Sequence, residues 1–196
     1  MDKKQINKFD SDEIRKLLKI LIKANSLKEV PRTGWVLKGV KNPESVAGHS
    51  WGVSLLGLLL APKNLDKNKL LQMIVVHDLG EIVPGDVRWE EGEKVIGSQF
   101  KKRKKELDVM QELFQGYPKG EKYISLLKEF NEQKTPESHF LKQIEKLEMA
   151  IQALIYEKNN RAKKPLDEFW ENVEKYLEGQ SLEPIFRELQ KMRKKS

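Results

Sequence analysis

The chain has 196 residues, enough for one domain with a sizeable core and too few for two full ones. Charged residues make up 34% and hydrophobic residues 38%, as in a well-solvated globular protein, and no apolar run approaches the roughly 20 residues that span a bilayer. The absence of cysteine excludes disulfides, thiolate nucleophiles and cysteine-based zinc sites, while the net charge of +7 favours an anionic partner only weakly. With no apolar segment typical of a signal peptide near the N-terminus, we expect a cytoplasmic protein.

Apolar residues recur every three or four positions along nearly the whole chain, which predicts an all-α fold. Pro31, Gly34, Gly39 and Pro43 break the segment between the first two helices. The predicted helices lie around residues 14–22 and at about 45–60, 66–80, 90–114, 119–132, 136–158, 165–178 and 182–193. We expect a single domain over residues 1–196, with the C-terminal helices at 165–193 packed on the rest.

His49 lies on the apolar stripe of the second predicted helix. Val46, His49 and Val53 are three and four positions apart, so they share one helix face. An inward imidazole is either a core histidine with a satisfied hydrogen bond or part of a site. His49 alone leaves both interpretations open.

His77 and Asp78 follow directly on an apolar run at residues 70–76. If that helix continues, His77, Asp78 and Glu81 project from the same side. Buried carboxylates cost free energy unless a cation or hydrogen bonds compensate, and a divalent metal with a neutral imidazole ligand is a natural compensation. The alternative is a helix end in solvent, where both carboxylates are simply hydrated.

A further ligand must come from another helix. Glu145 and Glu148 are one turn apart at the border of a later apolar stripe, so either could reach inward. The alternative for each is a surface carboxylate paired with Lys142 or Lys146, the commoner fate of a helical glutamate. His139 lies well around the helix from Glu145 and is expected at the surface.

Four segments together resemble the HD-domain metal-dependent phosphohydrolases, most closely their 5′-deoxynucleotidase branch. In chain order they are VPRTGWVLKGV (30–40), NPESVAGHSW (42–51), VVHDLGEIVPGD (75–86) and FLKQIEKLEMAIQA (140–153). A His-Asp pair alone is a weak signal, whereas four such segments in order are specific. The resemblance covers about residues 16–157 and implies a single HD-domain helical bundle that forms homodimers.

The resemblance implies a metal site. His49, His77 and Asp78 match the family's metal ligands, and the implied cofactor is one divalent ion, with cobalt, manganese, magnesium and zinc all open. Glu145 stands where the family has its last metal-binding aspartate. Because glutamate is one methylene longer, its oxygen can still reach a metal after a small shift, so we expect Glu145 to ligate.

Catalytic and substrate-binding positions are carried over in the same way. Glu81, in the motif His-Asp-x-x-Glu, and Asp86, in a Gly-Asp turn, match catalytic residues that orient water and transfer protons. Arg32 and Trp35 match positions that contact the phosphate and the sugar of the substrate. From the residues alone, Arg32 could equally be a surface arginine and Trp35 a core residue.

The resulting prediction is a metal-dependent enzyme that hydrolyses the phosphomonoester of deoxynucleoside 5′-monophosphates. Two alternatives remain in the same fold: a nucleotide or metal sensor without hydrolysis, and a hydrolase of another small phosphate ester. A nucleic-acid-binding helical protein is the third, suggested by the basic runs at 101–105 and 191–196. Such runs are more often solvated helix faces, and no aromatic residues interleave with them to stack on bases.

Overall fold

The computed structural model describes residues 10–82 and 99–194, and within these ranges the regular elements are helices. The α-helices are α1 Ser11–Asn25, α2 Thr33–Leu37, α3 Val46–Leu60, α4 Lys67–Val76, α5 Gln99–Leu113, α6 Gly120–Glu132, α7 Pro136–Lys158, α8 Asp167–Leu177 and α9 Glu183–Lys194. Short 3₁₀ turns lie at Ser26–Lys28 and Leu79–Ile82. The predicted all-α fold is confirmed.

Polar residues begin the helices that carry the candidate site. The Ser45 side chain accepts a hydrogen bond from the Gly48 amide at the start of α3, and Asp66 does the same for Lys69 at the start of α4. Thr135 caps α7, whose first residue is a proline. Such caps satisfy amides that have no partner within the helix, so they fix where each helix begins.

The 23-residue helix α7 is the centre of the bundle. It packs against α3, α4 and α6 on one side and against α8 and α9 on the other. Its core side chains are fully buried and meet equally buried residues of α4, namely Leu141, Ile144 and Leu147 with Leu70, Met73 and Ile74. α3 and α4 are therefore held together against one face of α7.

The C-terminal helices bury large apolar residues in the same core. Trp170, Val173 and Leu177 of α8 and Phe186 of α9 are all buried. The single domain over residues 1–196, with the C-terminal helices at 165–193 packed on the rest, stays a prediction. Among the described residues, no helix is both long and apolar enough to cross a membrane.

The structure differs from the prediction at the end of α4. The α-helix was expected to reach about Gly80, but it ends at Val76, and the chain tightens into the 3₁₀ turn Leu79–Ile82. A Cβ at Gly80 would lie 2.6 Å from the Cβ of Glu106 on α5 and 2.9 Å from its backbone, so this turn packs directly on α5. The helical arrangement assumed for Glu81 is therefore wrong.

Residues 83–98 lie outside the described part of the chain. They include the predicted catalytic residue Asp86 and the first part of the helix predicted at 90–114. The remainder of that helix is present as Gln99–Leu113.

Candidate metal centre

Two buried histidines and an aspartate meet where α3 passes the end of α4. His49 lies on the inner side of α3, His77 directly follows α4, and Asp78 is the next residue. Among the described residues, these three form a group whose potential ligand atoms all lie within 4.8 Å of one another. The predicted convergence of His49 with the His77–Asp78 pair therefore occurs.

The imidazole nitrogens that face this point are unpaired. His49 Nε2 lies 3.9 Å and His77 Nε2 3.2 Å from Asp78 Oδ2. Neither nitrogen has a hydrogen bond of acceptable geometry to any described residue, although both are buried. An unsatisfied buried polar atom costs about 1–3 kcal/mol, so such atoms are rare in the absence of a ligand.

The other nitrogen of each ring is held in place. His49 Nδ1 lies 2.5 Å from Glu148 Oε2, and His77 Nδ1 lies 2.6 Å from the backbone oxygen of Ile74. Both acceptors bind a ring N–H, which leaves the Nε2 lone pairs directed at the shared point. This is the arrangement in which histidines bind metals, with the second nitrogen bonded to a carboxylate or carbonyl.

The electrostatics of the cluster favour a cation. Burial lowers the pKa of His77, but the contact with Asp78, the charge of Glu145 and the bond to the Ile74 oxygen together outweigh burial and raise it to about 9. Burial likewise opposes ionisation of Asp78, yet the charges of His77, His49 and Arg32 hold the pKa of its carboxyl well below the usual range. Asp78 is therefore an ionised carboxylate in a buried site that attracts either a proton or a metal ion to His77.

These three side chains fit one divalent metal ion. A cation bound by both Nε2 atoms and the Asp78 carboxylate would satisfy the unpaired nitrogens and the buried charge together. Two imidazoles and a carboxylate suit zinc, cobalt, manganese and related ions, and they leave coordination positions open for other ligands. The donor set alone does not select among these metals.

Glu145 lies beside the cluster but is engaged elsewhere. Both of its carboxylate oxygens accept hydrogen bonds from Lys142 Nζ, at 3.1 and 2.9 Å. Burial would raise the pKa of Glu145, but the charges of Lys142, His77 and His49 lower it to about 2. Glu145 thus experiences the charges of the site, while the ligand role predicted for it stays a prediction.

Arg32 lies at the edge of the cluster. Its NH1 atom is 3.9 Å from Asp78 Oδ2, and its Nε atom is 3.7 Å from Glu44 Oε1. A backbone hydrogen bond from Arg32 to Glu44 and a β-bridge between Pro31 and Ser45 fix this segment beside the start of α3. A guanidinium therefore lies next to the candidate metal ligands, and the phosphate contact predicted for Arg32 stays a prediction.

Trp35 is a core residue with one polar contact. Its side chain is only 1% exposed, and its ring stacks on Phe169 at a centroid distance of 4.2 Å. The indole N–H donates to Glu44 Oε1 at 2.8 Å. Core packing, the alternative considered for Trp35, is what the structure contains. The predicted contact with a sugar is not tested by it.

Glu81 is placed at the side of the cluster that faces α5. Its Oε1 atom lies 2.8 Å from Lys102 Nζ, and Lys102 also pairs with Glu106 at 3.4 Å. Lys102 and Glu106 also lie close enough to Asp78 for its charge to raise the pKa of both groups, so they are neighbours of the candidate metal ligands. The catalytic roles predicted for Glu81 and for Asp86, which lies outside the described residues, stay predictions.

Sequence reasoning missed two partners in this site, Glu44 of Trp35 and Glu148 of His49, whereas Lys142 was among the alternatives considered for Glu145. Glu44 precedes His49 by five residues in the segment NPESVAGHSW, and Glu148 follows Glu145 by one helical turn. These positions indicated that both glutamates are near the site. They did not indicate which groups the two carboxylates would bind.

The basic runs make ion pairs within the fold. Lys102 in the first run pairs with Glu81 and Glu106, as described, and Lys191 near the C-terminus pairs with Glu188. Arg193 pairs with Glu157 and Asp167. Such pairing is typical of a solvated helix face and reduces the positive charge available to a nucleic acid.

Comparisons with known proteins agree with this arrangement. A family model described as HD domain matches residues 24–184. The chain is 33% identical over 162 residues to the 5′-deoxynucleotidase HDDC2 of Xenopus laevis, covering 81% of this chain and 78% of that protein, and 30% identical over 167 residues to the human 5′-deoxynucleotidase HDDC2, covering 84% and 80%. A solved structure of a conserved hypothetical protein from Pyrococcus furiosus is 31% identical with a TM-score of 0.72, covering 91% of this chain and 99% of that one.

Proposed function

The chain belongs to the HD domain family, and we propose that it is a metal-dependent 5′-nucleotidase that hydrolyses deoxynucleoside 5′-monophosphates to nucleoside and phosphate. One observation carries the proposal. Two buried Nε2 atoms without partners converge with the Asp78 carboxylate on one point, next to the guanidinium of Arg32. A metal site beside an arginine is what a phosphate monoester needs, because the dianion must be held and its charge offset.

In this proposal the site residues have three roles: substrate binding, metal binding and proton transfer. Arg32 binds two phosphate oxygens with its planar guanidinium and orients the ester at the cluster. His49, His77 and Asp78 hold the divalent ion, with Glu145 as a further ligand. When bound, the ion supplies Lewis acidity toward the phosphoryl oxygen and lowers the pKa of water. Glu81 and Asp86 accept and return protons.

The substrate selectivity that we propose is supported by the names of the relatives and involves Trp35. The proteins from human and Xenopus are named 5′-deoxynucleotidases, so we propose that this chain also prefers the deoxyribose form. Because Trp35 is buried and bonded to Glu44, its influence on the sugar passes through the position of that carboxylate.

A nucleotide or metal sensor is the second candidate. It is favoured by Glu145, whose carboxylate is paired with Lys142 and is not among the three residues grouped around the common point. A protein that binds a metal weakly through three ligands can bind a nucleotide without hydrolysing it. Hydrolysis of another small phosphate ester would use the same residues as the primary proposal.

We also propose that two copies of the chain form a homodimer through the outer side of α3. This helix is apolar on nearly all sides, and its outer residues Trp51, Leu55, Leu58 and Leu59 are exposed. A helix that is apolar all round is normally buried all round, and Trp51 is 70% exposed here. A second copy brings an identical face, which satisfies the twofold symmetry of common dimers.

The single domain over residues 1–196 and the cytoplasmic location stay predictions.

The primary proposal is tested by phosphate release from ribo- and deoxynucleoside 5′-monophosphates. The protein is treated with EDTA, and cobalt, manganese, magnesium or zinc is then added. Metal-dependent release that favours the deoxy forms supports the proposal. Binding of metal and nucleotide without release supports the sensor, and release from other phosphate esters alone supports the third candidate.

A further inference from the structure

The buried contact between Glu148 and His49 is not explained by the cluster of three ligands. Glu148 reaches from α7 to α3, and its Oε2 atom lies 2.5 Å from His49 Nδ1. Both side chains are almost wholly buried. A buried carboxylate is costly unless it is bonded, so this pair must contribute something that an apolar contact would not.

We propose that Glu148 is a positioning residue for metal binding: it fixes the tautomer and the ring orientation of His49. This inference rests on the metal site of the proposed function. A carboxylate accepts hydrogen bonds, so the tautomer that this contact stabilises is the one with the proton on Nδ1. His49 Nε2 is then the nitrogen with a free lone pair, and it is the one that lies toward Asp78. Partners of this kind change metal affinity about 10–100-fold when they are removed.

Gly52 provides an independent observation for the same role. It lies three residues after His49 on α3, and a Cβ at this position would be 2.9 Å from Glu148 Oε1 and 3.0 Å from Glu148 Cγ. Any larger residue at 52 would therefore displace the Glu148 side chain from its place against α3. The backbone of α3 thus leaves space for Glu148 within one helical turn of the histidine that it contacts.

His77 supplies an internal comparison. Its Nδ1 atom bonds the backbone oxygen of Ile74, 2.6 Å away in its own helix, so no side chain is needed to orient it. His49 has no such bond and relies on Glu148. Removal of the Glu148 carboxylate should therefore change His49 and leave His77 as it is.

A second cation between Glu44, His49 and Glu148 is the rival interpretation, because their potential ligand atoms also lie within 4.8 Å of one another. The distance of 2.5 Å between His49 Nδ1 and Glu148 Oε2 argues against it. Two atoms that each lie about 2.0–2.2 Å from one ion are normally farther apart than that. The contact has the length of a hydrogen bond instead.

The test compares Glu148→Met, which removes the acceptor at similar length, with Glu148→Gln, which keeps an oxygen. Glu137→Gln is the matched control, since Glu137 is a buried glutamate of α7 that bonds Lys69 and the Asp66 amide instead. We expect cobalt affinity, measured by isothermal titration calorimetry, to fall about 10–100-fold in Glu148→Met and less in Glu148→Gln. The control should stay within about twofold of the unmodified chain.

Long-range ¹H–¹⁵N spectra of the metal-free proteins report the tautomer directly, and the chain has only three histidines to assign. We expect His49 to carry its proton on Nδ1 in the unmodified chain and to lose this preference in Glu148→Met, with His77 and the exposed His139 unchanged. If Glu148→Met does not fold, Gly52→Ala, whose Cβ would displace the Glu148 side chain, takes its place in both measurements. Unchanged His49 spectra and cobalt affinity in the folded variant overturn the proposal, as does a second cobalt equivalent lost with Glu148.

Neither readout needs a substrate. A chain that releases no phosphate, but whose His49 tautomer depends on Glu148, would refute the nucleotidase and leave this inference standing.

Discussion

The two sides of α3 reverse the usual distribution of polar and apolar residues. The inner side carries His49, with Gly52 making room for the carboxylate of Glu148 in the core. The outer side presents Trp51, Leu58 and Leu59 to solvent. Each arrangement costs free energy in an isolated chain. The inner side leaves a buried nitrogen without a hydrogen bond, and the outer side leaves apolar surface exposed to water.

The difference indicates what each side binds. Unpaired polar atoms in a core are satisfied by a cation, and exposed apolar side chains are satisfied by another apolar surface. One helix would then join the metal site to the dimer interface. Variants that affect one side and not the other test whether these two functions are separate.

The largest effect is expected on the inner side. His77→Ala or Asp78→Ala removes one of three converging ligands, so phosphate release should fall about a thousandfold or more, the several kcal/mol that a metal ion contributes. The measurement is initial rate with saturating metal. Circular dichroism should show that most helicity remains, because α4 ends before either residue.

His139→Ala is the control for this prediction, since His139 is exposed on α7 and should not affect the rate. Full turnover by His77→Ala without bound metal would contradict the assignment of the site.

A smaller effect is expected on the outer side. Trp51→Glu places a charge in the proposed interface, where central tryptophans often contribute about 2 kcal/mol or more, so dimer affinity should fall about thirtyfold or more. Analytical ultracentrifugation measures this over a concentration series. Cobalt affinity should be unchanged, because Trp51 lies opposite His49 on α3.

Lys122→Glu, an exposed charge reversal on α6, serves as the comparison for Trp51→Glu. A dimer that persists in Trp51→Glu would show that the outer side of α3 is not the interface, and a monomeric unmodified chain would show that none forms.

Two variants at the border of the metal site are expected to change cobalt affinity in opposite directions. Glu145→Gln removes a proposed ligand and should weaken cobalt binding about tenfold. Lys142→Met removes the cation that holds both Glu145 oxygens, so it should strengthen binding a fewfold. Isothermal titration calorimetry of both variants separates these outcomes. Equal affinities in all three proteins would mean that Glu145 is no ligand.

The smallest effect is expected at Trp35. Trp35→Phe keeps an aromatic ring against Phe169 but loses the donor to Glu44, which should cost about 1 kcal/mol and lower the melting temperature by a few degrees. If Trp35 acts on the sugar through Glu44, the ratio of deoxy to ribo turnover should also fall. A lower melting temperature with an unchanged ratio would make Trp35 a core residue only.

The helices were predictable because their signals are local. The spacing of apolar residues predicted helices starting at about residues 45 and 66, and α3 and α4 begin at Val46 and Lys67. The end of α4 was not predictable, because its cause is the close approach of Gly80 to Glu106 on α5, a contact between residues distant in sequence.

The site was predictable only in part for the same reason. The approach of His49 to His77 and Asp78 followed from inward positions on two helices and from resemblance to a family. The contact of Glu148 with His49 did not follow from the sequence, and Lys142, which binds Glu145 one turn earlier, was only one of two lysines that the sequence offered. Which of two neighbouring glutamates enters the core depends on the space that Gly52 leaves on α3.

The most direct test of the account is a crystal structure of the cobalt-loaded protein with an anomalous difference map recorded at the cobalt absorption edge. The account predicts one strong peak per chain, bound by Nε2 of His49, Nε2 of His77 and the carboxylate of Asp78. A peak bound by other residues, or cobalt-soaked crystals without a peak at these three side chains, would contradict it.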